Sequence, residues 1–209
     1  MQNFFQKMNP ENLVRKNVAK FKSYSSARSE FSAIEKMILL DANESPFGDG
    51  KVNFYPDPLQ KNLRAKFAKL KNFPENQIVF GNGSDELLDL LVRIFCEPQK
   101  DSLAFCPPTF GMYAVVADLN EIAKIEIPLD ENFQIRENEI LQTAENAKII
   151  FICSPNNPTA NLISAEKIFK ILKNFRGIVA IDEAYVEFSN FESWISQIEN
   201  FENLVVFQT

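Results

Sequence analysis

The sequence predicts an α/β protein, a three-layer α/β/α sandwich built around a mostly parallel sheet. Short apolar runs rich in Ile and Val, such as 148–153 and 178–182, are typical of strands buried on both faces of a parallel sheet. Between these runs lie segments with apolar residues at helical spacing. Strands that alternate with helices along a chain form a sheet covered by helices on both faces, which is the predicted fold class.

The predicted elements begin after a polar N-terminal segment. Residues 1–35 contain a short helical pattern around 11–20 and no strand pattern, so we interpret them as an arm that precedes one domain over residues 36–209. The strands are predicted at 37–40, 77–80, 102–106, 123–127, 148–153, 178–182 and 203–208. The helices are predicted at 58–72, 84–96, 109–119, 137–145, 164–175 and 191–199.

The composition excludes several classes of partner. Of the 209 residues, 45% are hydrophobic and 24% are charged, as in an ordinary globular protein. A net charge of −6 spread without blocks argues against nucleic acid or an anionic membrane as a partner. No apolar run approaches the ~18 residues of a membrane span, and the first residues lack the apolar core of a secretory signal. We therefore expect a cytoplasmic protein.

The cysteines and the lack of histidine restrict the chemistry. Cys96, Cys106 and Cys153 are widely spaced, and each lies within or at the end of an apolar segment, so we expect buried, reduced thiols. The sequence contains no histidine and no paired cysteines, so we expect no metal site of the zinc type. A Ser-His-Asp triad is impossible within these 209 residues for the same reason.

Polar clusters at 154–159 and 182–185 each follow a predicted strand. Because open α/β sheets bind ligands at the carboxyl ends of their strands, we expect Asn157, Asp182 and Tyr185 to lie together. An amide, a carboxylate and a phenol suit an aromatic cofactor that has a ring nitrogen and a phenolic oxygen. The residues alone also allow a strand-end aspartate that accepts backbone hydrogen bonds, a turn asparagine and a half-buried tyrosine.

A glycine-containing turn, 81–85, separates a predicted strand from a predicted helix. Free backbone N–H groups and the positive end of the helix dipole make such a turn a phosphate site, and Gly83 lets the backbone approach the anion closely. The alternative is that Ser84 or Asp85 merely caps the helix. A dinucleotide fingerprint is a weaker explanation, because Glu86 replaces the third glycine of that motif.

Taken in order, the motifs of this chain resemble those of fold-type-I aminotransferases that depend on pyridoxal 5'-phosphate (PLP). The motifs are LDANESPFG at 40–48, YPDP at 55–58, GNGSDE at 81–86, CPPTFGMY at 106–113, SPNNPT at 154–159 and DEAY at 182–185. The resemblance covers nearly the whole chain, and the motifs before 154 narrow it to the histidinol-phosphate aminotransferase family. It implies a PLP-binding large domain, a small-molecule substrate and a homodimer.

The resemblance implies roles around the cofactor ring. Asp182 pairs with the ring nitrogen, Asn157 and Tyr185 donate to the phenolic oxygen, and Phe110 stacks on the ring. The bond between Asn157 and Pro158 is a candidate cis peptide.

Other roles concern the phosphate and the substrate. The resemblance implies that Gly83, Ser84 and Asp85 bind the cofactor phosphate. Tyr55 of the other subunit reaches the same phosphate in this family, and Asn43 and Glu44 match a segment that lines the substrate pocket.

One position departs from the family pattern. Where these enzymes commonly have glycine after Asn-Pro-Thr, this chain has Ala160. Alanine fits there if the backbone φ is negative.

The resemblance implies transamination of L-histidinol phosphate with 2-oxoglutarate, in histidine biosynthesis. In the family, the lysine that forms a Schiff base with PLP lies a few residues beyond the strand that corresponds to 203–208, and this sequence stops at Thr209. The substrate-binding arginines and a small C-terminal domain are expected further on. We therefore expect an N-terminal portion that is incomplete at its C-terminal end and inactive alone.

Three alternatives to this function stay open. They are another PLP-dependent aminotransferase, a threonine-phosphate decarboxylase, and a non-catalytic protein that keeps the PLP-enzyme scaffold.

Overall fold

The computed structural model describes residues 9–22, 42–49 and 52–209. The chain divides into two compact units, which we call the sheet unit (Met1–Ala19 and Gly81–Thr209) and the 20–80 unit (Lys20–Phe80). The strand predicted at 37–40 and the boundary predicted at 35/36 lie outside the described residues. The predicted division into an arm and one domain therefore stays a prediction. In the described ranges, no helix combines the length and apolarity needed to cross a membrane.

The described part of the sheet unit contains one five-stranded parallel sheet. Its strands are β1 (Ser102–Phe105), β2 (Ala123–Glu126), β3 (Ile149–Cys153), β4 (Ile178–Asp182) and β5 (Leu204–Phe207). They lie in the order β2-β1-β3-β4-β5, and each pairing is parallel. Each strand falls within a predicted apolar run, so these five predictions are confirmed. The register pairs Cys153 with Asp182, which sets the carboxyl ends of β3 and β4 side by side.

Helices occupy most of the segments predicted for them. The α-helices are α1 (Lys16–Ala19), α2 (Lys61–Lys71), α3 (Gly83–Phe95), α4 (Met112–Leu119), α5 (Glu137–Thr143) and α6 (Ala165–Asn174). Short 3-10 helices lie at Pro10–Leu13, Glu75–Gln77, Val186–Phe188 and Trp194–Gln197. The helix predicted at 191–199 is thus reduced to one 3-10 turn, and the pattern around 11–20 forms two short pieces.

The strand predicted at 77–80 is wrong. A 3-10 helix occupies Glu75–Gln77, and 78–80 joins no strand in the described residues. Val79 is 67% exposed, and the ring of Phe80 meets that of Phe67 edge-on at 5.3 Å within the 20–80 unit. An apolar run becomes a strand only where a neighbouring strand satisfies its backbone N–H and C=O groups.

Helices pack on both faces of the sheet because successive strand residues point in opposite directions. In β3, Ile150 belongs to a buried cluster with Ile168 of α6. The next residue, Phe151, belongs to a second buried cluster with Leu91 of α3 and Val116 of α4. Full burial of such side chains contributes roughly 1.5–3 kcal/mol each, which explains why the central strands are apolar throughout. The predicted three-layer α/β/α class is confirmed.

The cysteines are buried and free, as predicted. Burial raises the pKa of the Cys96 and Cys106 thiols to about 12 and that of Cys153 to about 11. These thiols are therefore protonated core residues at neutral pH.

Candidate active site

The strand order places a topological switch point between β1 and β3. The chain passes from β1 to β2 on one side, whereas β3 lies on the other side of β1. Ligands bind in the crevice outside the carboxyl ends of the strands at such a point. Asp182 ends β4, and the loops that follow β1, β3 and β4 carry Phe110, Asn157 and Tyr185. The fold therefore brings these four predicted residues to the same end of the sheet.

Asn156 joins two of these loops. Its side-chain oxygen accepts a hydrogen bond from the Thr109 hydroxyl at 2.8 Å. Its side-chain nitrogen donates to the Pro108 carbonyl at 2.9 Å and to the Thr159 hydroxyl at 2.6 Å. Asn156 is buried, and these bonds fix the loop after β3 against the loop after β1. Its neighbour Asn157 is only half-buried.

Asp182 is the last residue of β4 and is 2% exposed. One carboxylate oxygen, Oδ2, accepts from the Tyr113 hydroxyl at 2.7 Å, and Oδ1 accepts from the Ala184 N–H at 3.1 Å. Burial raises the pKa of Asp182, and the negative charge of Asp85 raises it further, whereas the two hydrogen bonds lower it. The group is therefore a buried carboxyl whose oxygens each accept one hydrogen bond and can accept a further one.

The half-buried ring of Phe110 lies next to Tyr113, the residue whose hydroxyl donates to Asp182. Its ring meets that of Tyr113 edge-on, with centroids 5.7 Å apart at 88°. Tyr113 in turn stacks on Phe151 at 4.8 Å and 3°. The Phe110 ring is thus held by the core from one side.

Asn157 and Tyr185 border one cavity of about 800 Å³. Phe188 and Phe191 also line it, and Tyr185 is 46% exposed. The peptide bond between Asn157 and Pro158 is cis, which confirms that prediction. The amide and the phenol therefore line the same cavity, and their joint action on one ligand stays a prediction.

Ala160, in the same loop, does not meet the condition under which alanine fits. Its φ is +58°, in the left-handed region that favours glycine. Its N–H donates to the Asn156 carbonyl at 2.7 Å, which closes the loop on itself and holds this conformation.

The glycine-containing turn begins α3. Gly83 has a φ of +76°, which glycine adopts at no steric cost, and the space where a Cβ would lie is open. The N-cap position belongs to Asn82, so neither Ser84 nor Asp85 has the capping role left open by the sequence. The Glu86 carboxylate accepts from the Asn82 backbone N–H and from its side-chain amide, the latter at 3.0 Å.

The remaining predicted residues lie in the 20–80 unit. The Tyr55 N–H donates to the Glu44 carboxylate at 2.7 Å, so these two segments meet. The Tyr55 side chain is 65% exposed, and Asn43 is exposed too. Their roles toward a phosphate and a substrate stay predictions.

Sequence reasoning missed three residues that build the site, namely Tyr113, Asn156 and Glu183. Tyr113 lies three residues after Phe110 at the start of a helix, and that spacing could have placed both rings on one side. Asn156 lies in the motif SPNNPT at 154–159, directly before the predicted site residue Asn157.

Glu183 lies in the DEAY motif at 182–185, but its neighbours in the sequence give no sign of the partners that it binds. It is fully buried and accepts from the Ser193 hydroxyl at 2.5 Å, the Trp194 N–H at 2.7 Å and the Gln208 amide at 2.9 Å. This carboxylate ties two chain segments to the end of β4.

In chemical terms, the site offers a buried carboxylate, an amide, a phenol, an aromatic face and a helix N-terminus. Across the described residues, no group of three or more His, Cys, Asp or Glu side chains is arranged to hold a metal ion. The fold is that of an α/β domain with a topological switch point, and domains of this class bind ligands at the carboxyl ends of their strands.

The chain belongs to the aminotransferase class I and II family, whose sequence model matches residues 35–209. It is 52% identical over 200 residues to the histidinol-phosphate aminotransferase of Flavobacterium johnsoniae, across 94% of this chain and 57% of that protein. The chain thus spans little more than half the length of this curated relative.

Solved structures show the same fold. The crystal structure of the histidinol-phosphate aminotransferase from Clostridium acetobutylicum has a TM-score of 0.67 and 26% identity, over 75% of this chain and 46% of that one. L-threonine-O-3-phosphate decarboxylase from Porphyromonas gingivalis has a TM-score of 0.61 and 23% identity, over the same shares. The second likeness shows the fold alone.

Proposed function

We propose that this chain forms the PLP-binding part of an enzyme that transfers the amino group of L-histidinol phosphate to 2-oxoglutarate, in histidine biosynthesis. The observation that carries the cofactor assignment is the buried Asp182 carboxylate at the end of β4. The substrate is proposed from the name of a relative that is 52% identical. The likeness of folds supports no choice of substrate, because a decarboxylase shares it.

The donor set fits PLP group by group. A buried carboxylate with one donor on each oxygen matches a protonated ring nitrogen, because an opposite charge stabilises the protonated ring. The open space beside Gly83 leaves room for a phosphate at the positive end of the α3 dipole. The Asn157 amide and the Tyr185 hydroxyl, which border one cavity, match a phenolic oxygen.

When bound, PLP supplies an electron-withdrawing ring that stabilises negative charge at the substrate α-carbon. Asp182 would hold the proton on the ring nitrogen and so preserve that withdrawal. Asn157 and Tyr185 would bind the phenolic oxygen, and Phe110 would pack against the ring. The backbone of Gly83, Ser84 and Asp85 would bind the phosphate.

We also propose a cytoplasmic homodimer. The exposed Tyr55 side chain and the exposed apolar residues of α2, Leu63 at 50% and Leu70 at 76%, support an interface on the 20–80 unit. In such a dimer Tyr55 would contact the cofactor phosphate of the partner subunit, and Asn43 and Glu44 would line the substrate pocket. Free cysteines support a reducing compartment.

Cofactor binding is tested on the purified chain by titrating PLP and following its absorbance. Asp182→Asn keeps the shape and removes the charge, and we expect it to weaken binding roughly 10- to 100-fold, as loss of a charge-assisted hydrogen bond does. Asp118→Asn is the matched control, because Asp118 is an exposed α4 residue that pairs with Lys124. Equal PLP affinity for Asp182→Asn and the unchanged chain would contradict the cofactor assignment.

Substrate choice is tested on the whole protein, because the chain spans 57% of its relative. We expect glutamate to form from 2-oxoglutarate when L-histidinol phosphate is the amino donor. Release of CO₂ from threonine phosphate, or glutamate formation only with aromatic amino acids, would identify one of the alternative enzymes. PLP binding without any turnover would identify a non-catalytic scaffold.

A further inference from the structure

We propose that Tyr113 is a positioning residue that fixes the Asp182 carboxylate and keeps it ionised, so that the shared proton stays on the ring nitrogen of the bound cofactor. The identity of that cofactor rests on the proposed function. The effect of Tyr113 on Asp182 does not, because both residues belong to the sheet unit and touch directly.

The first argument is the hydrogen bond itself. The Tyr113 hydroxyl donates to Asp182 Oδ2 at 2.7 Å, and both side chains are buried. A bond from a hydroxyl to a carboxylate in a dry environment is roughly twice as strong as one between neutral groups. It lowers the pKa of Asp182 against the upward effect of burial.

The second argument is that the tyrosine ring cannot move aside. It is 0% exposed and stacks on Phe151 of β3 at 4.8 Å and 3°. Phe105 of β1 and Phe110 lie around it, with centroids at 6.3 Å and 5.7 Å. Since close-packed aromatic rings keep their rotamers, the core sets the position of the hydroxyl, and the hydroxyl sets that of Oδ2.

The third argument comes from the other groups that face Asp182. Asp85 carries a negative charge that disfavours ionisation, and burial of Cys153 raises its pKa to about 11, so it is a neutral thiol. The Ala184 N–H holds the other carboxylate oxygen. Among the ion pairs of the described residues, Asp182 has none, so hydrogen bonds rather than a cation offset its burial. Tyr113 supplies the side-chain donor among them.

Tyr113 also remains a donor at every physiological pH. Burial raises its pKa well above the ordinary value, and the neighbouring Asp182 charge raises it further. The hydroxyl therefore does not compete with Asp182 for a negative charge.

The alternative is a tyrosine that only fills the core and donates to the nearest acceptor. Such a residue affects stability without changing how Asp182 titrates. Tyr113→Phe removes the hydroxyl and keeps the ring, so it separates the two roles. Val116→Ala is the matched control, because Val116 lies on the same helix, is 1% exposed and loses packing when shortened.

The deciding measurement is the carboxyl titration of Asp182 in the chain without PLP, by ¹³C NMR of labelled aspartate side chains, with Asp182→Asn to assign the signal. We expect Tyr113→Phe to move the midpoint upward by roughly one pH unit and Val116→Ala to leave it in place. An unchanged midpoint in Tyr113→Phe, or an equal shift in Val116→Ala, overturns the proposal.

A second variant works in the opposite direction and keeps the test valid if Tyr113→Phe does not fold. Fluorotyrosine at position 113 is nearly the same size and a stronger donor, so it should move the Asp182 midpoint downward. A midpoint that stays in place would contradict the proposed role of the hydroxyl.

The cofactor-bound readout is the ¹⁵N chemical shift of ring-labelled PLP in the unchanged chain and in Tyr113→Phe. We expect the shift in the variant to move toward that of an unprotonated pyridine, with rescue by fluorotyrosine. If PLP does not bind the unchanged chain, the proposal that this chain alone forms the PLP-binding part fails, and the Asp182 titration still decides the role of Tyr113.

Discussion

Replacement of Ala160 by glycine tests the conformation of the loop that carries Asn157. Ala160 has a φ of +58°, and its N–H is bonded to the Asn156 carbonyl at 2.7 Å. The hydrogen bond keeps the backbone in the left-handed region, where the Cβ of alanine crowds the following carbonyl oxygen. Glycine has no Cβ, so Ala160→Gly should stabilise the protein.

The expected gain is the difference between two terms. A left-handed conformation costs a residue with a Cβ roughly 1–2 kcal/mol. Glycine also destabilises the fold by roughly 0.5–1 kcal/mol, because it gives the unfolded chain more conformational freedom, and this offsets part of the gain. We therefore expect the free energy of unfolding to rise by about 0.5–1 kcal/mol, which corresponds to a rise in Tm of about 1–4 °C for a chain of this size.

The assay is thermal and urea unfolding followed by circular dichroism. Ala123→Gly is the matched control, since Ala123 is exposed on the edge strand β2 and lies in extended backbone. There the same change should destabilise by about 0.5–1 kcal/mol. Ala160→Asn, which tolerates the left-handed region, should also match or exceed the stability of the alanine form. If both glycine variants lose stability alike, the reasoning about Ala160 is wrong.

Three further predictions concern stability. Glu183→Gln should lower the free energy of unfolding by about 2–4 kcal/mol, because the new amide N–H group faces buried donors. Urea unfolding measures this loss, and a loss under about 1 kcal/mol would contradict the prediction. The three buried thiols should destabilise the fold at high pH. In the unfolded chain the thiols have their ordinary pKa of 9.0 and ionise above it, whereas in the folded chain burial raises the pKa and keeps them neutral. The stability they contribute is complete below pH 9 and is lost as pH rises toward 12, with about 4 kcal/mol lost between pH 8 and 10 in reductant. Cys106→Ala should remove about a third of that loss, and an unchanged pH dependence would refute the account. Gly83→Ala should lower the free energy of unfolding by about 1 kcal/mol, because Gly83 has a φ of +76°. Urea unfolding checks this, with Gly111→Ala as the control, since Gly111 has a negative φ.

The comparison of 148–153 with 77–80 shows how far the sequence predicts the fold. Both are short apolar runs, and only the first is a strand, β3, buried from Ile149 to Cys153. The second has no partner strand in the described residues, and its Val79 is largely exposed. Hydrophobic periodicity in the sequence indicates which residues are buried. Whether such a run pairs as a β-strand depends on whether another strand lies beside it in the fold.

The candidate site divides in the same way. Asp182 and Asn157 follow buried strands, so the position of each at the edge of the sheet follows from the sequence. The contact from Tyr113 to Asp182 joins residues 69 positions apart, and that from Thr109 to Asn156 joins residues 47 apart. Spacing along a chain carries no signal for such pairs.

The sequence by itself determined the α/β class, the five strands of the described sheet, the buried thiols and the positions of Asn157 and Asp182 at the carboxyl edge of the sheet. These depend on apolar periodicity and residue chemistry, which are local properties. Only the tertiary structure decided the left-handed backbone of Ala160, the hydrogen bond on each oxygen of Asp182 and the buried network of Glu183. These depend on which distant groups the packed core brings within about 3 Å, and hydrogen bonds act only at that range.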